Sequence, residues 1–259
     1  MLSVVIPAYN EEERLPETLR ETLAFLEEAR LASEVIVVDD GSQDGTADVV
    51  NRIARSCSSV RLIRLAQNAG RGLAVRSGFI NAAGDDFLFM DADASTALVE
   101  ITHLTAVMAD TGADIVIGSR VHLPGSHTTV KAKWYRRVAG RTFHQFVRFY
   151  GVSGISDTQC GFKLFTREAA LDIASRMRMH GYSFDVEMLL IARELGYEIR
   201  EVSVNWTHKP GSKVTVVTDG VRMVADLIRV RRNSACGLYK SPTLGARRVE
   251  DTLPQSGIG

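Results

Sequence analysis

The chain has 259 residues, 45% hydrophobic and 24% charged, which is the composition of an ordinary soluble globular protein with length for one large α/β domain or two small ones. Its three cysteines, Cys57, Cys160 and Cys236, form no CxxC and no paired framework, which excludes a disulfide scaffold and fits a reducing compartment. A net charge of zero hides an asymmetry, because residues 1–118 hold nineteen acids against nine bases and residues 119–259 hold twelve acids against twenty-two bases.

An acidic front half suits a cation-dependent site, and a basic back half suits an anionic partner such as phosphate or a membrane surface. A solvated excess with no partner is the alternative. The sequence opens directly on an apolar strand, with no basic segment leading into a long apolar run, so no targeting peptide is expected. No window approaches the roughly 18 uninterrupted apolar residues of a membrane span, and no transmembrane helix is expected.

Leu2 to Pro7 reads as a strand buried on both faces, ending in Ala8-Tyr9-Asn10-Glu11. A helix follows with Leu15, Leu19, Leu23 and Leu26 on one face and Pro16 tolerated in its first turn. Glu34 to Asp39 is the second strand; it runs into Asp39-Asp40-Gly41-Ser42, and Asp44-Gly45-Thr46 turns the chain into a helix carrying Val49, Val50, Ile53 and Cys57. Val60 to Leu65 is a third strand and Gly70 to Ala83 a helix. Asp86 to Met90 is the fourth strand, running straight into Asp91 and Asp93; a helix over Thr96 to Met108 leads to a fifth strand, Ile115 to Gly118.

Strands that alternate with helices and are almost wholly apolar specify a parallel sheet covered on both faces. Right-handed crossovers bring every strand's carboxyl end to one edge, so Asn10 and Glu11, Asp39 and Asp40, and Asp91 and Asp93 converge where such sheets bind ligands. Two carboxylates as close as Asp91 and Asp93 repel unless a cation or strong donors sit between them, and a hard divalent ion sharing substrate phosphates is one resolution. Capping of the Thr96 helix is the alternative. Pro7 and Tyr9 beside Glu11 offer a fixed platform for a planar base, and Asp40 can accept from base or ribose groups. The Gly70-Arg71-Gly72 turn is no dinucleotide fingerprint, because the third glycine position is Val75 and the turn is the third in the sheet rather than the first. Arg71 and Arg76 could face phosphate or base from it.

Beyond Gly118 the pattern changes. Ser119 to Lys133 reads as a loop, and Trp134 to Tyr150 mixes aromatic residues with Arg136, Arg137, Arg141 and Arg148, which fits either a membrane-surface helix or a core helix with snorkelling arginines. Asp157 to Phe165 leads to helices over Glu168 to Met177 and Phe184 to Leu195, then a strand over Ile199 to Trp206 and a last helix over Val221 to Val230. From about Ala235 a disordered tail is expected. The change of pattern divides the folded part into a front half, 1–118, and a back half, 119–234.

The stretches VVIPAYNEEERL, VVDDGSQDGT, the DAD at 91 to 93 and the IGSR ending at Arg120 resemble family-two glycosyltransferases of GT-A fold. In the back half, GISDTQCGFKLFTREAA, YSFDVEMLLIA and EVSVNWTHKPGSK resemble the dolichyl-phosphate β-glucosyltransferases, and the likeness spans roughly Leu2 to Arg232. This implies an α/β, mostly parallel sheet, with 1–118 as the nucleotide-sugar half and 119–234 as the acceptor half, and an inverting transfer of glucose from UDP-glucose to dolichyl or polyprenyl phosphate. It implies that Pro7, Ala8, Tyr9, Glu11, Asp40 and Arg71 hold the donor, with Asp91 on its ribose or glucose and Asp93 on Mg²⁺ or Mn²⁺ at the diphosphate. Asp91, Asp93 and Asp157 would form the catalytic set, and Arg120, Arg136, Arg137, Gln159 and Lys163 would contact the acceptor phosphate. Eukaryotic members carry an N-terminal membrane anchor, which this sequence is not expected to share; peripheral attachment at the cytoplasmic membrane face, on an anionic surface, is expected from the basic back half and the Trp134 to Tyr150 stretch, with no nucleic-acid partner. Rival readings are a GDP-mannose transferase, a transferase to a hydroxyl, and a catalytically silent nucleotide-sugar module.

Overall fold

The computed structural model describes residues 1–123, 128–131, 154–181, 183–209 and 216–240, by backbone alone at 130–131 and 216–224. Arg136, Arg137 and the expected Trp134 to Tyr150 helix lie outside these residues.

The strands β1 (Leu2–Ala8), β2 (Ser33–Asp39), β3 (Val60–Arg64), β4 (Asp86–Met90), β5 (Ile115–Ser119), β7 (Phe162–Thr166) and β8 (Ile199–Ser203) form one sheet in the order β3-β2-β1-β4-β7-β5-β8. Every pairing is parallel except those of β7, which runs antiparallel between β4 and β5. The short strands β6 (Val130–Lys131) and β9 (Trp206–Thr207) pair separately, and Trp206 also bridges to Thr96.

Each strand alternates its side chains between two cores, which is why the strands are apolar along their whole length. On one face Val4, Ile6, Val35, Val37, Leu88 and Leu164 pack with α1 (Leu15–Glu28), α2 (Thr46–Ser56) and α4 (Glu100–Thr111). On the other, Val5, Val38, Phe87, Phe89, Ile117 and Phe165 pack with α3 (Arg71–Asn81), α5 (Arg167–Arg176), α6 (Phe184–Glu194) and the end of α7 (Val216–Ala235). α3 lies so close to β1 that a Cβ at Gly78 would come within 2.3 Å of Val5 Cγ1.

Several expectations change: the strand expected over Ile199 to Trp206 ends at Ser203, with Trp206 in β9 of the second sheet, the last helix spans Val216–Ala235, and the expected loop before Lys133 contains β6. Phe162–Thr166 is a central strand rather than a lead-in to a helix. Its one charge, Lys163, is neutralised inside the sheet by a residue that is distant in sequence, so the local pattern hides the strand. The helix after the fourth strand starts at Glu100, not Thr96, because Thr96 is taken by the bridge to Trp206. Within the expected tail, the chain turns back through Gly237 (φ 68°) and buries Tyr239 completely.

Candidate active site

The carboxyl ends of β1, β2 and β4 carry the loops that sequence reasoning singled out. Asn10 turns the chain at φ 53°, a left-handed conformation held by Ser42 Oγ accepting its N–H at 2.9 Å and by its own Oδ1 accepting from Gln43 N–H at 2.9 Å. Ala94 turns the other loop at φ 46°. Thr18 of α1 ties the two loops together, donating its hydroxyl to the Ala92 carbonyl at 2.8 Å. A cleft of about 630 Å³ opens here, with Asn10, Glu11, Asp44, Asp93 and Lys209 among its walls.

Within the DAD stretch the two aspartates have different partners. Asp91 is ion-paired with Arg71, whose guanidinium also lies over the Phe89 ring at 5.3 Å, so the cation that relieves the carboxylate repulsion on this side is an arginine. Asp91 packs so tightly that a Cβ at Gly161 would meet its Oδ1 at 2.0 Å. Asp93 accepts from Ser95 N–H through Oδ1 at 3.0 Å, and among the described residues nothing donates to its other oxygen. Neither aspartate caps α4, which begins with no side-chain cap. No cluster of three or more His, Cys, Asp or Glu suited to a metal occurs among the described residues. The donor set still fits a hard cation: Asp93 offers one open carboxylate oxygen, and such ions fill their other positions with phosphate oxygens and water.

Asp40 is buried and accepts from Ala69 N–H at 2.8 Å and Gly70 N–H at 2.9 Å. Burial pushes its pKa up against those two donors, which pull it down. It therefore fixes the turn entering α3, next to Arg71. Pro7 and Ala8 are buried in β1, and Tyr9 is half-buried beyond them. Glu11 departs from expectation: Arg14 grips it in a bidentate pair at 2.6 and 2.7 Å, so its carboxylate orders the start of α1. Arg76 donates to the Ala174 carbonyl at 2.9 Å and faces α5.

Arg120 and Asp157 form a second centre. Arg120 Nε and Nη2 donate to Asp157 at 2.7 and 2.8 Å, its backbone N–H donates at 2.9 Å, and its guanidinium lies over the Trp206 ring at 5.7 Å. Burial alone would raise the Asp157 pKa, but the Arg120 charge and hydrogen bonds outweigh it and hold the carboxyl at about 2. Asp157 is thus an ionised anchor for Arg120. Glu201 of β8 orders the same loop by accepting from the N–H groups of Ser156 and Asp157, each at 2.7 Å. Gln159 donates its backbone N–H to Asp157 at 3.2 Å, and its buried side-chain nitrogen has no hydrogen-bond partner among the described residues.

The expectation that Lys163 contacts the acceptor phosphate is overturned. It is fully buried in β7, donating to Asp185 at 2.5 Å and to the Cys160 carbonyl at 2.6 Å, with Phe89 at 5.5 Å. Its position between Phe162 and Leu164 points it into the α3–α6 side of the core, where only an inward carboxylate can satisfy it.

A family model described as Glycosyl transferase family 2 matches residues 3–173, from β1 into α5. The chain belongs to that family. Among curated relatives it is 39% identical over 249 residues to the dolichyl-phosphate beta-glucosyltransferase of Dictyostelium discoideum, covering 92% of this chain and 76% of that one. It is also 39% identical over 251 residues to the Homo sapiens protein of the same name, covering 92% and 77%. Among solved structures, glucosyl-3-phosphoglycerate synthase of Mycobacterium tuberculosis in complex with Mn²⁺, UDP and glucosyl-3-phosphoglycerate matches with a TM-score of 0.65 at 21% identity, covering 92% of this chain and 80% of that one. The sheet is that of the GT-A fold, with helices on both faces.

Sequence reasoning on this family 2 chain missed the Arg71–Asp91 pair, the Trp206 platform under Arg120 and the contact of Gly161 with Asp91. Only the Glu11–Arg14 pair had a local signal, a spacing of three at the start of a helix.

Proposed function

We propose that the chain is an inverting glucosyltransferase that moves glucose from UDP-glucose to dolichyl or a related polyprenyl phosphate. The observation that carries this reading is 39% identity with dolichyl-phosphate beta-glucosyltransferases across 92% of the chain, acceptor half included. Pro7, Ala8, Tyr9 and Asp40 form the base and ribose side of the donor site, and the Arg71–Asp91 pair faces the sugar and diphosphate. Asp93 would hold a Mg²⁺ or Mn²⁺ ion, which when bound neutralises charge on the departing UDP.

A phosphomonoester has its second pKa near ~6, so at neutral pH the acceptor is largely a dianion and attacks without a base. One phosphate oxygen forms a bond to the anomeric carbon as the bond from that carbon to the UDP oxygen breaks, and UDP leaves with the electron pair on the opposite face. An α-linked donor then gives a β-linked product. Asp157 keeps its charge throughout and aims Arg120 at the acceptor phosphate, with Arg136 and Arg137 as further phosphate partners. No helix of the described residues is long and apolar enough to cross a membrane, and the basic back half brings the protein to the cytoplasmic membrane face as a peripheral enzyme.

The test is donor choice: purified protein, Mn²⁺, dolichyl phosphate and either labelled UDP-glucose or labelled GDP-mannose. Glucose in the lipid fraction is expected. Lipid-linked mannose with no lipid-linked glucose would overturn the assignment.

A further inference from the structure

The turn that Asp40 fixes at the start of α3 is also held from the opposite side. Gly72 N–H donates to the His180 carbonyl at 2.8 Å, and that carbonyl lies so close that a Cβ at Gly70 would come within 2.4 Å of it. The Met179 carbonyl is equally tight on Gly72, 2.4 Å from where a Cβ would be. A strap of backbone at 178–180 thus forms the far wall of the turn that carries Arg71.

The strap hangs on one carboxylate. Glu187 of α6 is fully buried and accepts from Arg178 N–H at 3.0 Å through each oxygen, from Met179 N–H at 2.8 Å and from the Tyr239 hydroxyl at 2.8 Å. Tyr239 is itself fully buried, its hydroxyl accepting from Asn233 Nδ2 at 3.3 Å, and Arg178 Nη2 reaches the neighbouring Leu238 carbonyl at 3.2 Å. Contacts therefore run without a break from the end of the described chain through Glu187 and the strap to Gly70, Arg71 and Gly72, and from there to Asp40 and Asp91.

We propose that Tyr239, acting through Glu187, is a positioning residue for the donor: it sets the height of the 178–180 strap and with it the α3 turn that presents Arg71. The geometry gives it no contact with the reacting atoms. Removing its hydroxyl leaves a buried carboxylate one donor short, and the carboxylate recovers by pulling on the two backbone N–H groups of the strap. The effect belongs in donor binding, not in the chemistry of a bound complex. This inference rests on the assignment of the α3 turn to the nucleotide sugar.

Tyr239→Phe tests it in the full chain, with Glu187→Gln as a second variant that keeps the shape of the strap's anchor but gives it an N–H facing the Met179 N–H. Titration of UDP with Mn²⁺ by calorimetry needs neither glucose nor lipid, so it separates this inference from the overall reaction. Tyr239→Phe is expected to raise the UDP Kd and the donor KM about 5- to 20-fold, with kcat and the lipid-phosphate KM within about 2-fold. Backbone amide exchange at Gly72 and Met179 is expected to speed up in both variants. A purely structural role would lower the folded fraction and the thermal midpoint while leaving Kd per folded site unchanged. That result, or an unchanged Kd with unchanged exchange at Gly72, would overturn the proposal. If UDP binding weakens as expected but the wild-type protein transfers no glucose to lipid phosphate, the positioning role stands and the acceptor assignment fails.

Discussion

Asp93 and Asp157 are carboxylates of opposite character. Among the described residues one oxygen of Asp93 has no donor, and replacing this proposed cation ligand, Asp93→Asn, is expected to cut kcat about 100- to 1000-fold, with loss of Mn²⁺ stimulation, in a steady-state assay over a metal titration. Asp157 is spent on Arg120. Its pKa falls from 3.8 to about 2 on folding, so its stabilising contribution is complete above about pH 4 and disappears as pH drops through about 2. That shift corresponds to about 2 kcal/mol at neutral pH. Urea midpoints of wild type and Asp157→Asn should therefore differ at pH 7 and converge toward pH 2. Asp40 and Glu187, whose pKa values burial raises, act in the reverse sense in both proteins and cancel from the comparison. The convergence of Asp40, Asp91 and Asp93 on one edge was legible because each lies at the exit of an apolar strand and topology then brings those exits together, whereas Arg120 entered only through the family resemblance. The partners of these residues were not legible: Arg71 at the start of α3 reaches Asp91 at the end of β4, twenty residues on, and no spacing rule connects them.

Among the elements, β7 shows how a long-range ion pair defeats local pattern. A lysine in a five-residue run argues against a buried strand, yet Lys163 sits in the middle of the sheet because Asp185 of α6 meets it there. Lys163→Ala should cost about 3–5 kcal/mol, since it strands a buried carboxylate, whereas Lys163→Met combined with Asp185→Leu should retain most of the stability; guanidinium melts of the three proteins check this. The strands β1, β2, β4 and β5 were readable to within a residue or two because both faces are buried and their apolar runs are uninterrupted. The loop before β7 has a tighter constraint. A methyl at Gly161 would overlap the Asp91 carboxylate, so Gly161→Ala is expected to lower donor affinity at least about 10-fold while leaving the far-UV circular dichroism unchanged.

For the whole molecule, charge divides along the chain: the acidic front half carries the edge where Asp40, Asp91 and Asp93 converge, and the basic back half carries Arg120, the proposed acceptor-phosphate contact. Electrostatic docking of that half on anionic vesicles should weaken steeply between low and physiological salt, which flotation with phosphatidylserine liposomes measures; binding unaffected by salt, or absent at low salt, would count against it. The measurement closest to the central claim is lipid-phosphate-dependent release of UDP from UDP-glucose, with the anomeric configuration of the glycolipid read by NMR. The account predicts one equivalent of UDP per β-linked glucosyl phosphate and none without the lipid. UDP release at the same rate without lipid phosphate, or an α-linked product, would contradict it.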